Sequence, residues 1–230
     1  MKCWNCQSAL DEALLCARCG MPQPTEFLGA FEVLGLAPRL NWDAAELQRS
    51  YEQLAQKCHP DLFWAHMDER VLTAARRAMR TLNDAYRELR DPIGRLRYVL
   101  AATGHSRELT RTVPDGLQES AQIVDRVLRT VEKARSSADR ETWEAHQDHL
   151  ASLQVQVEKA QEHSESVRAG LVVEWDNAVG NAPMAWPQVS DGWYEQAIRW
   201  LGEREYLDAL TTRMHTGRDW QEVSEAGSVK

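Results

Sequence analysis

Apolar residues recur along most of this chain at intervals of three and four, the period of an amphipathic helix. Phe31 and Leu34 predict a short first helix closed by Gly35 and Pro38. Asp43 or Asn41 can cap a second helix. On it Leu47, Tyr51, Leu54, Ala55 and Cys58 are spaced 4, 3, 1 and 3 apart and share one face. Pro60 breaks this helix, and a loop is expected after it. A third helix carries the regular stripe Ala75, Ala78, Met79, Leu82, Ala85, Tyr86 and Leu89. Arg76, Arg77, Arg80, Arg87 and Arg90 lie on its other side. Pro92 stands at the first turn of a fourth helix, which Ile93, Leu96, Val99 and Leu100 continue and Gly104 ends.

From Asp115 to Ala182 the chain has no proline. Ile123, Val124, Val127, Leu128 and Val131 predict the core face of one helix there, and Ser136, Ser137 and Asp139 mark a break and a new cap. Trp143, Leu150 and Val157 then recur every seven residues, with Leu153, Ala160 and Val167 on a second seam and Leu171 and Trp175 beyond. This predicts a long helix of coiled-coil type, stopped by Pro183 and Pro187. A last helix is expected from about Gly192 to Met214, with Ala197, Leu201, Leu207, Leu210 and Met214 inside. The tail after Trp220 is expected to fray. Strand-like alternation is not seen outside the first residues, so the fold class is all-α.

Composition adds limits. The 230 residues are 43% hydrophobic and 27% charged, a soluble globular make-up. No run of 18 apolar residues predicts a membrane helix, and MKCWNC carries neither an apolar nor an Arg-rich leader, so a cytoplasmic location is expected. Acids outnumber bases 35 to 27, which argues against a main role in wrapping nucleic acid. The excess is local: residues 27–100 hold 11 bases and 10 acids, residues 101–230 hold 14 and 22. Of nine tryptophans, six lie in the C-terminal half. Trp143 and Trp175 fit the helical seam, and Trp186, Trp193, Trp200 and Trp220 are read as core or end-caps rather than partner contacts.

Two clusters carry chemistry. Cys3, Cys6, Cys16 and Cys19 form two Cys-x-x-Cys pairs nine residues apart, followed by Gly20 and by Pro22 and Pro24 as a linker. Two such knuckles can place four soft donors around one zinc ion, whose binding would supply the folding energy of a head too small for a core. Iron in the same set, labile redox thiols and disulfides are the alternatives. A four-thiolate zinc has no open position, so the role read here is structural. Cys58 falls on an apolar face and is read as core, since His59 next to it diverges around the helix and cannot serve as its base. The second cluster is His59-Pro60-Asp61, set between two amphipathic helices whose pairing leaves this tripeptide on the tip.

FEVLGL at 31–36, QLAQKCHPDLF at 53–63 and LNDAYRELRDPIGRLRYVL at 82–100 together resemble a J-domain. More narrowly they resemble the HscB/Jac-type J-proteins of iron–sulfur cluster assembly. Phe63 follows the tripeptide, Asp91-Pro92 leads into Arg95, Tyr98 and Leu100, a helical C-terminal part follows directly, and CWNC…CARC matches the head of some members. The resemblance implies a J-domain helical hairpin plus a C-terminal three-helix bundle, with a small N-terminal zinc-knuckle head. It implies boundaries at 1–26 for the head, 27–104 for the J-domain, 105–220 for the client-binding bundle and 221–230 for a flexible tail.

The resemblance also implies a co-chaperone rather than an enzyme. His59, Pro60 and Asp61 would contact a 70-kDa heat-shock-type ATPase chaperone and stimulate it, with Arg49 and Lys57 as electrostatic partners. The second helix is less basic than in general J-proteins, with Glu52 and Gln53 where bases are usual. The bundle would deliver an iron–sulfur scaffold protein. Leu117 to Val124 reads LQESAQIV and departs from the family pattern, and the central bundle helix is longer than expected. Leu117, Ile123, Val127 and Val131 are the residues that could form a client patch, with core as the favoured role for Ile123, Val127 and Val131. Neither a membrane nor nucleic acid is an expected partner. A J-domain adaptor for a different client, and a zinc-knuckle interaction module with an incidental HPD, are the other readings.

Overall fold

The computed structural model describes residues 2–10, 14–23, 28–66, 68–106, 110–180 and 186–220. Pro24, Phe27, Pro183 and the tail 221–230 lie outside the described residues. The elements run α1 (Ala30–Leu34), α2 (Ala44–Cys58), a 3₁₀ helix (Pro60–His66), α3 (Glu69–Arg90), α4 (Pro92–Ala102), a short 3₁₀ turn (Asp115–Leu117), α5 (Ala121–Ser136), α6 (Arg140–Ala145), α7 (Gln147–Val179) and α8 (Asp191–Arg218). Among the described residues the only β pairing is two isolated bridges, Lys2 with Ala9 and Leu15 with Pro22, both in the cysteine head. No described helix is long and apolar enough to cross a membrane.

The contacts divide the chain into two compact units. One is Met1–Ser106 with Val172–Tyr194, the other Arg107–Leu171 with Glu195–Lys230. This partition differs from the expected boundary near residue 104, because residues 172–194 join the first unit.

In the first unit the expected caps are used. Asp43 accepts from the Ala45 amide, Asp91 accepts from the Gly94 amide at 2.7 Å, and Pro92 opens α4. Gly35 ends α1 in the left-handed region at φ 67°, where its amide reaches the α1 carbonyls. Leu47, Cys58, Val71, Ala75, Ala78, Leu82, Ala85 and Leu89 bury the facing sides of α2 and α3. The Tyr51 and Tyr86 rings stack at 4.6 Å, and Tyr51 donates to Asn83 at 2.8 Å. From α4, Arg95 is buried and donates to the carbonyls of Leu40 at 2.8 Å and Trp42 at 3.1 Å. The Tyr98 hydroxyl accepts from the Ala30 amide at 2.7 Å. The Arg95–Tyr98 pair of the sequence motif thus ties α1 and the α1–α2 connection to α4.

The end of α7 completes this unit. Trp175 is fully buried, donates from Nε1 to the Pro38 carbonyl at 2.6 Å, and lies 4.8 Å from the Trp193 ring. Asp176 accepts from the amides of Leu40 and Asn41 at 2.7 and 3.0 Å, and Arg39 donates to the Gly180 carbonyl at 2.9 Å.

In the second unit Val124, Leu128 and Val131 of α5 pack with Leu150, Leu153 and Val157 of α7 and Leu207, Leu210 and Met214 of α8. Leu117 enters the same core from the short 3₁₀ turn. Ile123, expected in that core, is 56% exposed. Adjacent helical residues diverge by about 100°, so burial of Val124 turns Ile123 outward. Trp200 donates to the Ser164 carbonyl at 2.8 Å, and Trp143 donates to the Gly217 carbonyl at 2.8 Å. Gly202 lets the 110–112 segment lie against α8, where Thr112 donates to its carbonyl at 3.1 Å; a Cβ there would strike the Thr110 carbonyl.

Candidate functional site

The two Cys-x-x-Cys pairs build matching knuckles. Gln7 donates to the Cys3 carbonyl at 3.0 Å and Gly20 to the Cys16 carbonyl at 2.8 Å. Both residues, each one step past its pair, adopt positive φ, 59° and 70°. Only at Gly20 does a glycine meet that demand without strain. The four sulfurs lie within 4.8 Å of one another, with Cys3–Cys19 at 3.6 Å and Cys6–Cys16 at 3.8 Å. Disulfides need about 2.05 Å, so these are four free cysteines. Around a zinc ion with Zn–S near 2.3 Å, tetrahedral sulfurs stand about 3.8 Å apart, and the head has this spacing.

Polar hydrogens surround the sulfurs. The Cys6 amide and the Gln23 side chain donate to Cys3 Sγ, both at 3.4 Å, and Ser8 Oγ lies 3.0 Å from Cys6 Sγ and 3.4 Å from Cys16 Sγ. The Ser8 hydroxyl bond lowers the thiol of Cys16 to about 6 and lowers that of Cys6, whereas burial pushes Cys19 up to about 11. Four sulfurs gathered this closely form the donor set of a candidate metal site.

The His-Pro-Asp turn is built differently. Where a loop was expected, Pro60 to His66 form a 3₁₀ helix, with the Leu62 amide donating to the His59 carbonyl at 3.0 Å. Proline fixes φ and lacks the amide of the next α turn, so α2 stops at Cys58 and the chain tightens. The side chains of His59 and Asp61 are 51% and 86% exposed, and Nδ1 lies 3.5 Å from the Asp61 carboxylate. The Asp61 amide donates to His59 Nδ1 at 3.3 Å. The turn therefore presents an imidazole and a carboxylate side by side to solvent. Arg49 and Lys57 are exposed on α2. Cys58 is fully buried against Met79 at 3.8 Å, and burial raises its thiol pKa, which fits core filler.

Phe63 is the inward anchor of the turn. It packs with Val71 and Ala75, and Leu72 of α3 and Trp4 and Met21 of the cysteine head close the same cluster. Trp4 is itself pinned by a 2.7 Å bond from Nε1 to the Pro22 carbonyl. The cysteine head and the His-Pro-Asp turn therefore share one small apolar core.

The family model described as the DnaJ domain matches residues 29–98. The chain is 28% identical to the co-chaperone protein HscB homolog of Vibrio vulnificus strain YJ016 over 139 residues, 57% of this chain and 81% of that one. It is 27% identical to the homolog of Vibrio campbellii over 137 residues, 56% and 80% of the two chains. The chain thus holds a stretch that matches the DnaJ domain, and over more than half of its length it is similar to HscB co-chaperones. Its fold is similar to human co-chaperone HscB, with a TM-score of 0.58 at 18% identity over 94% of this chain and 98% of the other. HscB from Vibrio cholerae gives 0.50 at 19% identity over 82% and 96%. As in the sequence reading, the fold is all-α, with a J-domain helical hairpin and a small cysteine head.

The structure treats the expected client residues unequally. Leu117 and Val131 are buried in the second unit's core, and Val127 is half-buried against it. Ile123 alone of the four stands mostly in solvent. Sequence reasoning gave no role to Ser8 and Gln23 beside the sulfurs or to Trp4 and Met21 beneath the turn. The apolar pair Trp4 and Met21, each one residue beyond or two residues past a cysteine, was the available signal.

Proposed function

We propose that this chain is a co-chaperone of iron–sulfur cluster biogenesis. Through His59, Pro60 and Asp61 it stimulates the ATPase of a 70-kDa heat-shock-type chaperone, and its C-terminal bundle delivers an iron–sulfur scaffold protein. The observation that carries this reading is the exposed His-Pro-Asp on a 3₁₀ tip inside a matched DnaJ domain. Proline holds the turn rigid, so His59 and Asp61 meet a partner already ordered and with little entropy left to lose. Arg49 and Lys57 add positive charge on the neighbouring helix face. The ATP-hydrolysing groups belong to the partner; the chain contributes binding contacts.

In this reading residues 1–26 form the metal head, 27–104 the chaperone-contacting J-domain and 105–220 the client-binding part. The metal is zinc, held by Cys3, Cys6, Cys16 and Cys19, and supplies cross-linking of the head rather than catalysis. The sulfur spacing supports it, and the free thiols suit a reducing cytoplasm, where we place the protein. A J-domain adaptor for another client is the second reading. It is favoured by the burial of Leu117 and Val131, which leaves Ile123 with half-buried Val127 as the client contact.

The test is steady-state ATP hydrolysis by the cognate chaperone, with and without an iron–sulfur scaffold. Stimulation that His59→Gln abolishes is expected; stimulation that survives it refutes the J-domain role. A further rise with scaffold supports delivery, whereas no rise and no scaffold binding leaves the second reading. Metal analysis should return about one zinc per chain.

A further inference from the structure

Positive charge beside the His-Pro-Asp turn sits on α3 more than on α2. Helix α2 carries Arg49 and Lys57 against Glu46 and Glu52, whereas α3 carries six arginines, no lysine and three acids. Four of those arginines, Arg76, Arg80, Arg87 and Arg90, are three, four or seven residues apart and fall on one side of the helix, all exposed. Arg76 to Arg87 spans about 17 Å of helix axis at about 1.5 Å per residue. Arg76, Arg80 and Arg90 have no ion pair among the described residues. Arg87 has an exposed contact with Asp84 at 3.3 Å, a kind of pair that contributes little. Like charges at i and i+4, as at Arg76 and Arg80, destabilise a helix in isolation. The stripe therefore looks outward for its counter-charge.

The stripe is continuous with the turn. Arg76, Arg80 and Arg87 line a shallow groove with Met79, Asn83 and a single carboxylate, Asp84, and Pro60 forms part of the same groove. A partner seated on Pro60 meets the arginines without a gap. Arginine forks pair with carboxylates through two parallel hydrogen bonds, which point-charge lysines do not reproduce. Building on the co-chaperone reading above, we infer that Arg76, Arg80 and Arg87 of α3 form the electrostatic docking surface for a carboxylate-rich patch on the chaperone that His59-Pro60-Asp61 addresses. Nucleic acid is the competing polyanion. The whole-chain net charge of −8 opposes it, and one short stripe offers few phosphate contacts.

The experiment uses the full chain and the cognate chaperone, and reads the concentration giving half-maximal ATPase stimulation at about 50 mM and about 200 mM salt. The double variant Arg76→Glu/Arg80→Glu should raise that concentration about tenfold or more at low salt, keep the maximum at saturation and flatten the salt dependence. Arg76→Ala/Arg80→Ala, which keeps helix propensity and removes the guanidinium forks without adding negative charge, should move it in the same direction by a smaller factor. His59→Gln should remove the maximum itself. Charge variants within about twofold of wild type, beside an inactive His59→Gln, overturn the docking surface and leave the co-chaperone reading standing. An active His59→Gln overturns that reading instead. Stripe-dependent binding of a single-stranded RNA tighter than binding to the chaperone also overturns the inference.

Discussion

Replacing Trp175 by alanine should undo the first unit although the residue lies far along the chain from the J-domain sequence. The ring is fully buried, is tilted against Trp193 at 4.8 Å and edge-on to Trp186 at 6.4 Å, and bonds the Pro38 carbonyl at 2.6 Å. A tryptophan buries up to about 250 Å², about 6 kcal/mol at about 25 cal/mol per Å² as an upper bound. Measured core truncations of this size cost about 3–5 kcal/mol, and the stranded Pro38 carbonyl adds about 1 kcal/mol or more. The expected loss is about 4–6 kcal/mol, against about 5–15 kcal/mol for the stability of a domain. Amide hydrogen exchange across residues 30–102 is the assay, with urea unfolding followed by far-ultraviolet circular dichroism beside it. Trp175→Phe, which keeps a ring and loses the indole N–H, should lose about 1–2 kcal/mol. A fragment ending at Ser106 should show the same fast exchange as Trp175→Ala. A loss below about 1 kcal/mol with unchanged exchange over 30–102 would falsify the assignment of residues 172–194 to this unit.

Three other outcomes are expected. Arg95→Met strands the Leu40 and Trp42 carbonyls and should destabilise the first unit by about 2–4 kcal/mol, read by denaturant midpoint; a change near zero contradicts the bonding described. Removing the metal by chelation should free Trp4 and Met21 from Phe63 and speed amide exchange at residues 60–66, and unaltered exchange there would show that the head and turn are uncoupled. Glu165 is held below the usual carboxylate range by its hydrogen bond from Arg168, with Arg204 adding to it. A lowered folded-state pKa gives stability that is present above the unfolded value of about 4.3 and fades as pH falls through the folded one. Wild type should therefore exceed Glu165→Gln slightly at neutral pH and converge with it on acidification; a gap that widens toward low pH refutes this.

Helices with a single buried stripe were legible because the stripe itself encodes them. Asp43, Pro92 and Asp139 also mark their helix starts by local chemistry that tertiary contacts do not alter. Cysteine spacing and the His-Pro-Asp tripeptide gave both candidate sites, since each needs its residues close in sequence. What failed was whatever depended on the identity of the packing partner. Apolar spacing says that Trp175 is buried, but not against what. The change from sevens at Leu150, Val157, Ser164 and Leu171 to fours at Trp175 and Val179 is where α7 leaves one unit for the other. Neighbouring Ile123 and Val124 could not both face inward, and the pattern alone did not choose. Arg95 was read as part of a motif, yet its burial depends on two carbonyls more than fifty residues away.

The split make-up of the first unit has a consequence for how the protein is born. A ribosome adding about 5–20 residues per second takes roughly 4–18 s to travel from Ser106 to Tyr194. During that interval the Pro38 carbonyl and the Leu40 and Asn41 amides have no Trp175 or Asp176 to meet. The His-Pro-Asp tip is synthesised early, but the scaffold that steadies it is finished only after the segment from Arg107 to Leu171 has emerged. Vectorial synthesis thus delays the complete first unit until most of the chain exists, so a nascent chain broken off early presents the tripeptide without the Trp175 and Asp176 contacts of that unit.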